Sequence, residues 1–278
     1  MFGVLLTSIA TLFEEVSTAI GREHVLEHKE SRFMMGFLDF FFAILFFVFI
    51  SIVSHQAFYF DRASLPTFLL RAVLELIQLY VTLIAVVQAD RSTFGFIRVV
   101  TIPLLLIVDL VAGYTMGMNQ IMGIGLIIIA VLFLFLDNDF KKKGAWWVLF
   151  GAANAVATLS LYKYNITHFN SVAAEQTLMF LILIVSLALT TFFIAKENPV
   201  KFLTKKVYII QSLARGVGTL MESFAFLFAP ASVIVAAKRA TAVFWSMLAG
   251  EVYFHEKHIL VKMFMSLLLA GGIVLIVI

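Results

Sequence analysis

Ten apolar windows follow one another along this chain, separated by short polar breaks, and that alternation leaves few folds open. A helix rises about 1.5 Å per residue, so crossing about 30 Å of hydrocarbon takes about 17 to 25 apolar residues. Windows of that size fall near residues 2–20, 34–54, 66–88, 92–111, 118–136, 145–161, 172–194, 207–228, 231–250 and 259–278. The breaks include REHVLEHKESR, HQAFYFDRAS, QADRS, NDFKKKG, KYNITHFN and AKENPVKFLTKK, while GYTMGMNQ, between the fourth and fifth windows, carries no charge. The expected fold is therefore an all-α integral membrane protein with ten transmembrane helices.

Composition agrees: 62% of residues are hydrophobic, 13% are charged and the mean hydropathy is +1.04, outside the range of soluble domains. Cysteine is absent, which excludes a disulfide framework, thiolate metal sites and sulfur redox chemistry. A net charge of +3 is too small to suggest nucleic acid. The N-terminus lacks the basic region and cleavage site of a signal peptide, and its apolar run carries Glu14 and Glu15, so it reads as a retained first helix.

Shifting the chain by 140 residues lays the last five windows over the first five. Thr7, Thr11, Glu14 and Thr18 then fall on Trp147, Gly151, Asn154 and Thr158. Arg71, Glu75, Gln78 and Thr82 fall on Gln211, Arg215, Gly218 and Glu222, and Arg98 and Thr101 fall on Lys238 and Thr241. In each set the spacing keeps the polar residues on one helical face. Five is odd, so the second half enters the membrane from the opposite side. Residues 1–138 and 141–278 are expected to form two inverted five-helix repeats, with a substrate site near the midplane between them and alternating access as the mode of action.

The terminal stretch AAKRATAVFWSMLAGEVYFHEKHILVKMFMSLLLAGGIVLIVI, with its charged turn HEKH at 255–258 and glycines at 271 and 272, resembles the EamA-like members of the drug/metabolite transporter superfamily. The resemblance implies ten helices, transport of a small molecule across the plasma membrane, no enzymatic activity and no cofactor. The adjacent Lys238 and Arg239 also look like the phosphate-binding pair of the related plastid sugar-phosphate translocators, in which a further basic residue comes from the fourth helix, here Arg98.

A charge at bilayer depth costs several kcal/mol, about 2.5 to 3.5 on insertion scales, so the charged residues inside the windows mark the candidate site. Lys238 and Arg239 point about 100° apart on a helix, so one lines the cavity while the other reaches a carboxylate on a neighbouring helix. With Arg98 they suit an anionic group. The competing reading is a set of structural ion pairs with Glu222, Glu75 and Glu175 as counter-ions. Arg71 and Glu75 are close enough to pair along one helix, whereas Arg215 and Glu222, two turns apart, each need a partner elsewhere. Glu14 is the candidate proton carrier, with a distant resemblance to the small multidrug exporters. Asn154 lies on the equivalent face of the second half, and Tyr80 and Trp245 could pack on the body of a substrate. Asp109 reads as interfacial, and Pro103 should kink or loosen the helix that carries Arg98.

The expected function is secondary transport of a small polar metabolite, anionic or zwitterionic, by a monomer or homodimer in the lipid bilayer, with proton coupling and no nucleic-acid partner. The alternative is proton-coupled export of amino acids or organic cations centred on Glu14 and Glu15. A membrane enzyme would need His24, Glu27 and His28, which match the HxxEH arrangement of inverted zinc peptidases but stand in a solvated loop without a third ligand. GMNQIMGIG at 117–125 reads as a small-residue helix contact, because no strand precedes it to make a phosphate loop. The NIT sequence at 165–167 matters only in a secreted eukaryotic setting. Breaks after odd-numbered windows carry twelve basic residues and those after even-numbered ones two, which places both termini outside by the positive-inside rule. The family resemblance implies both termini inside, so sequence leaves the orientation in conflict.

Overall fold

In the computed structural model the chain is described for residues 1–53, 58–89, 94, 97–136, 144–254, 267–268 and 271–276; the side chains of 131, 133–136, 243–244 and 246–254 lie outside that description. The long helices are α1 (Phe2–Leu26), α2 (Arg32–Val53), α3 (Leu65–Gln88), α4 (Thr101–Val111), α5 (Met118–Leu136), α6 (Ala145–His168), α7 (Val172–Leu189), α8 (Lys206–Ala225) and α9 (Ala231–Phe254). No strand occurs among the described residues. The stretches Phe2–Leu26, Arg32–Val53, Arg62–Gln88, Ala145–His168 and Val172–Ile194 are each long and apolar enough to cross a membrane, and Thr101–Val111 is a shorter apolar helix. The HEKH turn lies outside the described residues.

Helix boundaries follow local chemistry. Asp61 accepts the Ala63 N–H and starts a turn of 3₁₀ helix, Arg62–Ser64, which leads into α3 with Pro66 in its first turn, where no donor is missed. Ser171 caps α7 by accepting the Ala174 N–H at 3.2 Å. That helix ends in a wider π turn, Thr190–Ile194, before Lys196 at φ 56° reverses the chain. Lys163 of α6 reaches the carbonyls of Phe226 and Ala229, so its ammonium caps the C-terminal end of α8.

Pro103 loosens its helix as expected. It has no N–H to bond the Val99 carbonyl, and Val99 and Val100 form a turn closed by tighter i to i+3 bonds, Val100 N–H to Ile97 O at 3.1 Å and Ile102 N–H to Val99 O at 2.9 Å. Arg98 sits just before this break.

The helices pack around a core in which alanine is the commonest buried residue among those described, filled out by Val, Leu, Ile and Phe. α1 runs along α8 and crosses α9, α6 runs along α3 and meets α4, α2 lies against α7 and α8, and α4 meets α9. The buried stripe of α1 is Thr7, Ala10, Thr11, Glu14, Ser17 and Gly21, spaced three and four apart, so a polar face turns inward while the aliphatic face stays outside. Two glycines let α8 approach closely on two sides. A Cβ at Gly216 would stand 2.9 Å from Phe42 on α2, and one at Gly218 would stand 2.8 Å from the Ala10 carbonyl and the Glu14 side chain on α1. The GMNQIMGIG segment does make a small-residue contact: a Cβ at Gly123 would lie 2.6 Å from the Gly272 carbonyl.

Candidate functional site

The close α1–α8 contact places four charged side chains together. Lys238 on α9 sets its ammonium 2.7 Å from a Glu14 carboxylate oxygen and 2.6 Å from a Glu222 oxygen. Arg215, two turns before Glu222 on α8, stands 3.6 Å from the same Glu14 oxygen. One ammonium thus bridges carboxylates from two helices, and a guanidinium flanks the group. Glu14 is 6% exposed, so its charge depends on these cations. Arg215 and Glu222 each find their partner on another helix, as their spacing requires.

Arg98 and Arg239 surround this quartet within reach of its charges. Arg239 is buried and its Nε has no hydrogen-bond partner. Arg98 lies over the Phe94 ring, 5.0 Å from its centre, in a cation–π contact. It also lines a small cleft with Gln78, Thr82, Trp147 and Gly151, large enough for a water-sized group. Among the described residues neither guanidinium has a carboxylate within pairing distance. Trp245, half-buried, is two turns beyond Lys238 on α9 and so shares its face.

The other expected residues lie elsewhere. Glu75 pairs with Arg71 at 3.4 Å in a second buried group, where Arg71 also bonds Glu175 at 2.7 Å and Gln176 at 3.2 Å and lies over the Tyr162 ring. Asn165 and Asn170 both donate to Glu175, and Asn165 is fully buried, closed to glycosylation. Within this group Arg71 Nε is left without a hydrogen-bond partner, while both Glu175 oxygens are engaged. Asn154 donates to Gln78 and to the Leu74 carbonyl, both at 2.9 Å, and so lies on the α3 side of the Arg98 cleft. Tyr80 hydrogen-bonds Ser186 of α7 at 2.6 Å, on the opposite side of α3 from Gln78.

One residue was missed. Asp39, an isolated carboxylate in the second apolar window, accepts a hydrogen bond from Ser17 at 3.1 Å and stands within reach of the Arg215 charge. Its signal was a single Asp in MMGFLDFFFAILFF. Asp109, read as interfacial, is buried within the protein and accepts the Ser232 N–H at 2.7 Å, capping α9 from another helix. The HxxEH residues do not converge. α1 ends at Leu26, so the helical spacing of His24 and His28 is broken; His24 meets Tyr208 edge to face, exposed Glu27 pairs with Lys29, and His28 takes φ 56°. Among the described residues no three His, Asp or Glu are disposed to hold a metal.

No family model matches the chain, and no curated protein does. A solved structure described only as a crystal structure of a protein superposes with a TM-score of 0.64, covering 96% of this chain and 95% of its own length at 14% identity. That likeness shows a shared fold over nearly the whole chain.

Proposed function

We propose that the chain is a secondary transporter of the plasma membrane, in which ten transmembrane helices form two inverted five-helix repeats of the EamA-like kind. A central site between the repeats takes a small anionic or zwitterionic metabolite by alternating access. Support for the repeat lies in the helix pairing. A shift of 140 residues exchanges α1 with α6, α3 with α8 and α4 with α9, and it carries the packing of α1 on α8 and α9 onto that of α6 on α3 and α4. One contact follows residue by residue, since Glu14 against Gly218 corresponds to Asn154 against Gln78.

The observation that carries the choice of substrate is which cations lack a direct partner. Glu14 and Glu222 pair directly with Lys238 and Arg215, whereas Arg98 and Arg239 beside them have no carboxylate within ion-pair distance among the described residues, with Glu15 acting on Arg239 and Asp39 on Arg215 from farther away. Two planar donors without an ion-pair partner, one of which, Arg98, lines the cleft, complement a carboxylate or phosphate. A proton added to Glu14 or Glu222 would remove one counter-ion from Lys238 and release its ammonium toward the same anion. Anion and proton binding would then favour each other. The carboxylates Glu14, Glu222 and Asp39 support the second reading, proton-coupled export of amino acids or organic cations.

The deciding experiment is thermal stability of the purified protein against phosphorylated sugars, amino acids and organic cations, for wild type and for Arg98→Gln and Arg239→Gln. A ligand of the folded state must raise stability by mass action. Stabilisation by a phosphorylated or carboxylated compound, weakened in both variants, is expected. Stabilisation by cations alone would favour the second reading, and none by any solute would sink both.

A further inference from the structure

The connection between α1 and α2 holds one carboxyl group that the central cluster does not use. Glu30 is 4% exposed, and neither of its carboxylate oxygens has a hydrogen-bond partner. Its neighbour on α8 is Gln211, fully buried, whose carboxamide oxygen and nitrogen are both without partners as well. Gly21 of α1 makes room for that amide, since a Cβ there would stand 2.6 Å from Gln211 Nε2.

The charges that face Glu30 are mostly of its own sign. Asp39 faces it from α2, and Glu197 from the turn after α7. Glu197 is already engaged by the Ser31 N–H at 2.9 Å and the Ser31 hydroxyl at 2.6 Å. Tyr208 faces it from α8, with His24 of α1 edge to face with the Tyr208 ring and the Lys205 ammonium 5.7 Å from that ring. Lys29, next in sequence, turns outward to pair with Glu27 at 2.6 Å. Among the described residues no cation lies within ion-pair distance of Glu30. An ionised carboxylate here would be buried, unbonded and flanked by two others.

We propose that Glu30 is a proton-binding site, in which its neutral carboxyl group and the Gln211 carboxamide form a two-point hydrogen-bonded pair. The carboxyl O–H donates to Gln211 Oε1, and Gln211 Nε2–H donates to the carboxyl carbonyl oxygen. A single proton then satisfies all four orphaned atoms, with only small side-chain adjustments. Burial, and after it the nearby Asp39, push Glu30 up to about 8, with Glu197 acting in the same direction against the amide of Gln211. The site lies where the α1–α2 connection, tied by Ser31 to Glu197, closes over the start of α8. Loss of the proton would gather three carboxylates there and loosen that closure.

The sign of the pH effect follows from the raised value. Between the ordinary 4.5 and about 8 the folded chain holds a proton that the unfolded chain has lost, so stability from this group is full below 4.5 and declines as pH rises through about 8. Infrared titration of the full chain in lipid should show a neutral-carboxyl band that disappears near pH 8 and is absent in Glu30→Gln. The Tm of Glu30→Gln should lack the decline seen in wild type over that interval and at pH 8 should equal or exceed it. Asp39→Asn should move the infrared transition to lower pH, a readout that does not require the Glu30 variant to fold. An unchanged infrared titration in Glu30→Gln would overturn the proposal, as would no shift in Asp39→Asn. So would a wild-type Tm raised by sodium or lithium over choline at alkaline pH and insensitive to them in Glu30→Gln, which would make the site one for a small cation.

Discussion

The Lys238 ammonium stands 2.7 Å from the Glu14 carboxylate across the contact of α9 with α1, and the same ammonium holds Glu222 at 2.6 Å. Removing Lys238 would leave buried Glu14 and half-buried Glu222 facing each other, with Arg215 beside Glu14 and Arg98 and Arg239 beyond ion-pair distance. Loss of one partner from a buried pair costs about 3–5 kcal/mol. Lys238→Met should show a fall in Tm of that order, and Lys238→Met with Glu222→Gln should recover much of it. A double variant no more stable than the single one would show that the pairing contributes little.

Gly218 sets the distance between α1 and α8. Its missing Cβ leaves 2.8 Å to the Ala10 carbonyl and to the Glu14 side chain, whereas nothing lies within 4 Å of a Cβ at Gly125 in α5. Gly218→Ala should destabilise by about 1–3 kcal/mol through overpacking. Gly125→Ala should be neutral or stabilise by up to about 1 kcal/mol, as alanine is the better helix former. Thermal unfolding of the pair separates packing from propensity, and equal effects would refute the tight contact.

Glu175 has no role in the proposed transport. It is fully buried and receives Arg71, Asn165 and Asn170. Glu175→Ala should cost about 3–5 kcal/mol by leaving Arg71 buried with only the more distant Glu75. Any solute that stabilises the wild type should stabilise this variant by a similar increment, provided it folds. Loss of that increment would move Arg71 into the binding site.

Asp109 caps α9 through the Ser232 N–H. Asp109→Ala should lower stability by about 0.5–2 kcal/mol, the usual cost of losing a cap, and Asp109→Asn should restore most of it because its amide oxygen can still accept. Chemical denaturation in a fixed detergent would read both, and a neutral Asp109→Ala would show that the capping bond is dispensable.

What the sequence by itself determined is the class of fold and the faces of its helices. Apolar windows of membrane length, and polar residues recurring every three or four positions, are properties of single helices and can be read without a partner. The inward face of α1, the loosening at Pro103 and the need of Arg215 and Glu222 for partners on other helices all follow from such local rules. Only the tertiary structure decided which polar face meets which. Arg71 and Glu75 belong with Glu175 rather than with Lys238, Tyr80 faces Ser186, Asp109 caps α9, and Glu30 is enclosed although it lies in a charged connection. The physical reason is that ion pairing and burial depend on the spacing between helices. Here that spacing is set by small residues such as Gly218 and Gly21, whose role appears only once the opposing helix is in place.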